Sequence, residues 1–181
     1  METSVKGIYA AGDCVESMHL VSRKLGWYPL GSTANKQGRV AGANIAGINK
    51  KKFEGVLGTS INKVFDLTAA KTGLCEKGSV AAGFKPVSVT VTTPAIAGYY
   101  PGDGKVTLKL IADPIRKKLL GAQAYGDRSV DKVIDTIAAA LAGSIPISDL
   151  VNLDTSYSPP YSTVLGTVIV AAGVLEDKLL G

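Results

Sequence analysis

Apolar and polar positions alternate along this chain in patterns that change several times. The run Ile8-Tyr9-Ala10-Ala11 stops at Gly12-Asp13, which predicts a short strand and turn over residues 1–13. Cys14 to Leu30 shows no sustained period and reads as a connecting loop. A helix is predicted from about Thr33 to Ala46, with Ser32 as its N-cap and the small residues Ala34, Gly38, Ala41 and Gly42 along one side. Gly55 to Ser60 marks a boundary, followed by a strand at Ile61–Asp66 and a helix over Thr68–Ala82, broken by Gly73 and ended by Gly83. Val87 to Thr93 alternates valine with Ser/Thr, as in a half-exposed strand. Lys105–Asp113 and Lys118–Tyr125 read as two strands joined by Asp113-Pro114-Ile115-Arg116-Lys117, a hairpin in an antiparallel sheet. Val130, Val133, Ile134, Ile137 and Leu141 have the spacing of an amphipathic helix over Ser129–Ala142. A short helical piece at Ile147–Leu153 and a last helix at Val164–Leu180 complete the pattern, without internal repeats or low-complexity tracts.

Composition narrows the class. With 181 residues, 46% apolar content and a mean hydropathy of +0.21, the chain has material for one full domain and part of another. The longest apolar run, Val164–Leu175, is too short to span a bilayer and carries glycines. The N-terminus lacks a basic-then-apolar leader pattern, so a cytoplasmic location with no membrane partner is expected. Residues 1–52 carry eight Lys/Arg against three acids, which accounts for the whole net charge of +5. The aromatic-plus-basic interleaving of a nucleic-acid platform is missing, so no nucleic-acid partner is expected. Lys50-Lys51-Lys52 reads as a solvated exit from the first long helix. Cys14 and Cys75 have no metal-ligand or Cys-x-x-Cys spacing; no metal site is predicted, and two buried structural thiols are expected.

Candidate chemistry begins at Gly7-Ile8-Tyr9-Ala10-Ala11-Gly12-Asp13-Cys14. Glycine lets backbone approach a phosphate, and an aspartate beyond a strand accepts hydrogen bonds from sugar hydroxyls. By itself the segment would equally be a strand ending in an Asx-type turn. It is followed, however, by Pro29-Leu30-Gly31-Ser32-Thr33-Ala34-Asn35-Lys36-Gln37-Gly38-Arg39-Val40-Ala41-Gly42, and later by Tyr99-Tyr100-Pro101-Gly102 and Tyr157-Ser158-Pro159-Pro160-Tyr161-Ser162. In this order the segments resemble the C-terminal part of the pyridine-nucleotide-disulfide oxidoreductases, in the branch of NADH oxidases, NADH peroxidases and coenzyme A-disulfide reductases. The resemblance implies that Asp13, with Gly12, holds the ribityl region of FAD. It further implies that the helix beginning near Thr33 and Ala34 points its N-terminus at the flavin, where unpaired N–H groups suit a reduced ring.

Tyr99 and Tyr157 match tyrosines that, in coenzyme A-disulfide reductases, reach across a homodimer to the partner's active-site cysteine. A phenol there donates a hydrogen bond or proton to a thiolate leaving group. Packing at a dimer interface, where tyrosine is enriched, would account for the same two residues. Pro159-Pro160 makes the segment stiff enough to hold Tyr157 and Tyr161 in fixed positions, which the resemblance places near the partner's flavin. His19, the only histidine, reads equally as a loop residue or a functional one.

The chain departs from the family pattern in places. Leu165-Gly166-Thr167 stands where an Asp-Pro usually starts the last helix, and Ala97-Gly98 where a histidine usually precedes the double tyrosine. It has no Gly-x-Gly-x-x-Gly. The implied fold class is therefore α+β: an α/β remnant, the C-terminal strand and helix of an FAD-binding domain (1–55), then a dimerisation domain (56–181) with an antiparallel sheet flanked by helices. The implied cofactors are FAD, at an incomplete site, and NAD(P)H in a parent enzyme. The implied partners are a second copy, an N-terminal FAD/NAD portion and a coenzyme A-type substrate. A stand-alone, non-catalytic dimerisation module is the alternative. By either reading these 181 residues alone turn over no NAD(P)H.

Overall fold

The computed structural model describes residues 1–48 and 51–181, which divide into two compact units, Met1–Gly58 and Thr59–Gly181. Lys50 lies outside the described residues, and Lys51 and Lys52 are exposed.

The first unit holds a two-stranded antiparallel hairpin, β1 (Glu16–Met18) and β2 (Leu25–Trp27), and one long helix, α1 (Gly31–Ile45). The hairpin lies where a loop was expected, because strands of three residues are too short to show alternation. Residues 7–13 do not form the expected strand. They make one isolated bridge, Tyr9 with Glu2, and bend at Gly7 and Gly12, whose φ angles are 82° and 89°. Residues 1–3 run antiparallel beside residues 8–10, with the Thr3 N–H on the Ile8 carbonyl at 2.8 Å and the Ala10 N–H on the Met1 carbonyl at 3.1 Å, and the pairing ends after that single bridge. α1 also starts earlier than predicted. Leu30 occupies the N-cap position with extended backbone and no side-chain cap bond, so Ser32 falls inside the first turn.

Polar residues make up much of this unit's interior. His19 is 1% exposed: its Nδ1 accepts hydrogen bonds from the backbone N–H of Val21 (3.3 Å) and Ser22 (3.2 Å), and its Nε2 faces the Leu57 carbonyl at 3.2 Å. With Nδ1 accepting, Nε2 carries the proton and donates to Leu57. The histidine thus braces its own loop from a buried position. Ser17, Thr33 and Gln37 are buried beside Val40, Ala41 and Val56.

The second unit is a five-stranded antiparallel sheet in the order β3-β4-β7-β6-β5, formed by β3 (Ser60–Val64), β4 (Leu67–Gly73), β5 (Val87–Pro94), β6 (Lys105–Asp113) and β7 (Lys118–Gly126). Helix α2 (Glu76–Ala81) follows β4, and α3 (Val130–Ala142), α4 (Ile147–Val151) and α5 (Thr167–Leu180) follow β7. Cross-strand rows such as Ala70–Ala124–Leu108–Val91 and Thr72–Ala122–Leu110–Val89 line one face. α3 packs there over β4 and β7, and α5 over β5 and β6. Leu108, Leu110, Ile137, Leu150 and Leu175 are fully buried. The apolar face of α5 is largely used within the unit: Val168, Ala171, Ala172 and Leu175 are buried, Val174 and Leu180 exposed.

The predicted helix over Thr68–Ala82 is instead β4 followed by the short α2. Ala69-Ala70 reads as helix former, yet on this interior strand the small Ala70 lies on the face that α3 covers, while Ala69 is exposed on the other. Gly73 then ends the strand at a φ of 66°, and a Cβ there would lie 2.4 Å from the Leu120 carbonyl. No larger residue fits. Both thiols are exposed, against the expectation of burial. Cys75 caps α2, its sulfur accepting from the Gly78 N–H at 3.3 Å, while the Cys14 thiol donates to the Ala11 carbonyl at 3.4 Å. Among the described residues no helix is long and apolar enough to cross a membrane.

Candidate functional site

In the second unit two loops converge. One joins β5 to β6 and carries Tyr99 and Tyr100; the other joins α4 to α5 and carries Tyr157 and Tyr161. The first is anchored by the buried Ala95, Ile96 and Ala97, and the Ala95 N–H closes it on the Gly104 carbonyl at 2.9 Å. The Ala97 N–H donates to the Pro159 carbonyl at 3.0 Å, tying the two loops through backbone. Proline suits this position, since it has no N–H to satisfy and still offers its carbonyl. Thr93 and Thr167 share a hydroxyl–hydroxyl bond of 2.7 Å, which fixes the start of α5 to the end of β5. Lys132 of α3 donates to the Tyr161 carbonyl at 3.3 Å.

The consequence is a direct bond between the two phenols that the sequence singled out. Tyr99 Oη and Tyr157 Oη lie 2.9 Å apart, although 58 residues separate them. Tyr99 is 77% exposed and Tyr157 43% exposed, so the bonded pair lies at the surface of the unit. The bond to Tyr99 raises the Tyr157 pKa above the ordinary tyrosine value, with some desolvation adding to it. A raised value keeps this phenol protonated at neutral pH, where it serves as a hydrogen-bond donor and not a base. Tyr161 is exposed and lies outside that bond.

In the first unit the structure brings Gly12 beside α1. Its N–H donates to Gln37 Oε1 at 2.7 Å, and Gln37 Nε2 donates to the Ser17 hydroxyl at 2.8 Å. A Cβ at Gly12 would meet the Ala34 methyl at 3.7 Å, so Gly12 and Ala34 are neighbours. Thr33 is buried, one turn before Gln37 on the same helix face. Asp13 is exposed, and its backbone carbonyl accepts from the Trp27 indole at 2.7 Å. Gln37 is the organising residue that sequence reasoning missed. Its signal was a polar side chain in register with Thr33 and Val40, on the face otherwise buried. Among the described residues no group of three or more His, Cys, Asp or Glu side chains is arranged to hold a metal.

A family model, the dimerisation domain of pyridine nucleotide-disulphide oxidoreductases, matches residues 59–169. The chain belongs to this family. It is 40% identical to an NAD(P)H sulfur oxidoreductase (CoA-dependent) of Pyrococcus furiosus, over 97% of this chain and 39% of that protein. It is 34% identical to a coenzyme A disulfide reductase of Staphylococcus aureus, over 90% of this chain and 36% of the other. The solved structure of an NAD-dependent persulfide reductase from A. fulgidus superposes over the whole chain with a TM-score of 0.96 at 44% identity, covering 33% of that chain. The chain thus spans about 39% of the length of the curated relatives it matches. As in those oxidoreductases, the second unit is an antiparallel sheet with helices on one face, and the expected α+β class holds.

Proposed function

We propose that the chain is the FAD-contacting and dimerisation part of a flavin-dependent NAD(P)H oxidoreductase of the coenzyme A-disulfide reductase or NADH oxidase type, and that of these two it serves reduction of a sulfur–sulfur bond. The Tyr99–Tyr157 hydroxyl pair carries this reading. Two exposed phenols joined at 2.9 Å form a donor relay that a folding role does not require, since neither ring is buried. The relatives whose names include a coenzyme A substrate support the same direction.

In this reading Tyr99 and Tyr157 face the partner's active-site cysteine in a homodimer. The cysteine thiolate attacks one sulfur of a disulfide or persulfide, the S–S bond breaks, and the electron pair leaves on the second sulfur. Tyr157 donates to that departing thiolate, Tyr99 donates in turn to Tyr157, and solvent restores Tyr99. On the flavin side, Asp13 offers an exposed carboxylate for sugar-type hydroxyls, and the start of α1 near Thr33 and Ala34 has no side-chain cap. These features fit FAD in part. The Gly12 N–H, already taken by Gln37, offers close backbone approach but no hydrogen bond. FAD, when bound, supplies the two-electron link between nicotinamide and sulfur. Tyr161 would lie near the partner's flavin.

The test is transient kinetics on the complete enzyme. Tyr157→Phe should slow the oxidative half-reaction by roughly 10²-fold, the low end for general acid catalysis, with flavin reduction by NAD(P)H nearly unchanged. Tyr99→Phe should act similarly, and the double variant should lose less than the product of the two. Unchanged disulfide turnover in both single variants would reduce the pair to interface packing.

A further inference from the structure

A cavity of about 200 Å³ lies between α3, the α4–α5 connection and the first turn of α5, entirely within the second unit. That is far more than the roughly 10–15 Å³ one water needs. Its charge is one-sided. Among the described residues that line it, Lys132 is the only charged one, and none is Asp, Glu, His or Cys. The ammonium uses one of its three protons on the Tyr161 carbonyl at 3.3 Å, leaving two to point elsewhere.

The hydroxyls add to this. Thr136 and Ser162 have committed their protons, to the Lys132 and Thr163 carbonyls, each at 2.8 Å. Ser129, Thr155 and Ser156 also line the cavity, and among the described residues their hydroxyls bond to no protein group. Three hydroxyl donors from two elements therefore converge with a lysine in a hollow of single charge sign. A cation finds no carboxylate among the described residues that line it, while the lysine and the three unpartnered hydroxyls offer donors to an anion.

We propose that this cavity binds a tetrahedral oxyanion of the phosphate type, held by Lys132 with Ser129, Thr155 and Ser156. Several acceptor oxygens around one negative centre match several donors around one ammonium. Inorganic phosphate and the phosphate groups of a coenzyme A-type ligand share that chemistry. The inference stands whether or not the disulfide-reductase reading does. Ser156 precedes Tyr157, so an occupant would also steady the segment that carries the phenol pair.

The test uses the 181-residue chain with three probes: inorganic phosphate, coenzyme A, and pantetheine, which lacks phosphate. Saturable amide shifts at residues 129–136 and 155–162 should follow phosphate titration, with chloride at equal ionic strength as the control. Lys132→Met should weaken phosphate binding about tenfold or more, the scale of one charge-assisted hydrogen bond, and Lys132→Arg should retain most of it. Lys132 is exposed, so folding should be unaffected, which circular dichroism checks. Coenzyme A displaced by phosphate would support the site and identify its source. Phosphate binding without coenzyme A binding would support the site while counting against the coenzyme A reading. Overturning results are the absence of saturable phosphate shifts, or shifts unchanged in Lys132→Met.

Discussion

The two units reach order by different means. The second buries leucines, isoleucines and valines between one sheet face and two helices, the usual route to a stable fold. The first spans 58 residues and centres on Ser17, His19 and Gln37, whose side chains are held by hydrogen bonds, with Thr33 buried beside Gln37. It leaves Val5, Ile8, Leu25, Trp27, Ile45 and Ile48 exposed. Its polar interior specifies position well but contributes little net stability, because each internal bond replaces one to water. A domain of that length is marginal even with an apolar core. The difference suits the proposed roles: one unit positions backbone beside a cofactor, and the other supplies the rigid base for two tyrosines.

The largest expected effect comes from separating the units. A polypeptide of residues 59–181 should unfold cooperatively with nearly the thermal midpoint of the whole chain. Residues 1–58 alone should show little tertiary order by near-ultraviolet circular dichroism. Cooperative unfolding of the small piece would show that its polar network suffices, and the contrast between the units would fail.

Single substitutions sharpen the contrast. Leu110 is fully buried on the interior strand β6, and Leu110→Ala should cost about 2–5 kcal/mol in denaturant unfolding. Gln37→Leu removes the acceptor of the Gly12 N–H and the donor to Ser17, and should cost only about 1–3 kcal/mol. The second loss should be local, seen as faster amide exchange at Gly12 with the global midpoint of residues 59–181 unmoved. Equal global losses from both would mean that the units unfold as one.

The same contrast separates what was legible in the chain from what was not. The β6–β7 hairpin and α3 followed directly from alternation and helical spacing, because apolar side chains announce the face they bury. β4 does not show in the sequence because Ala69-Ala70 carries no such announcement; α3 lying above Ala70 accounts for the small residue on that face. Gln37 and His19 were illegible as core, since polar side chains in a lone sequence look like surface until their partners are known. Tyr99 and Tyr157 stood out through family resemblance alone. Their bond depends on the Ala97–Pro159 tie, which no local pattern encodes.

The smallest expected effect concerns a surface polar cluster of the apolar unit. Glu76 at the start of α2 accepts from Lys109 Nζ at 2.7 Å and from the Ser88 hydroxyl, linking α2 to β5 and β6. The bond to Lys109, followed by that to Ser88, lowers the Glu76 pKa below its ordinary value. A lowered folded-state value means the stabilisation is fully present above the unfolded-state pKa. It is lost as pH falls through the folded-state value, below the ordinary glutamate range. The pair is partly solvated, with side-chain exposures of 47% for Glu76 and 30% for Lys109, so screening keeps the contribution under about 1 kcal/mol. Glu76→Gln should lower stability by that small amount at pH 7 and by less on acidification, converging on the parent chain at low pH. Adding salt should shrink the difference at neutral pH. A difference that grows as pH falls would show that another group sets the acid limb of this unit's stability.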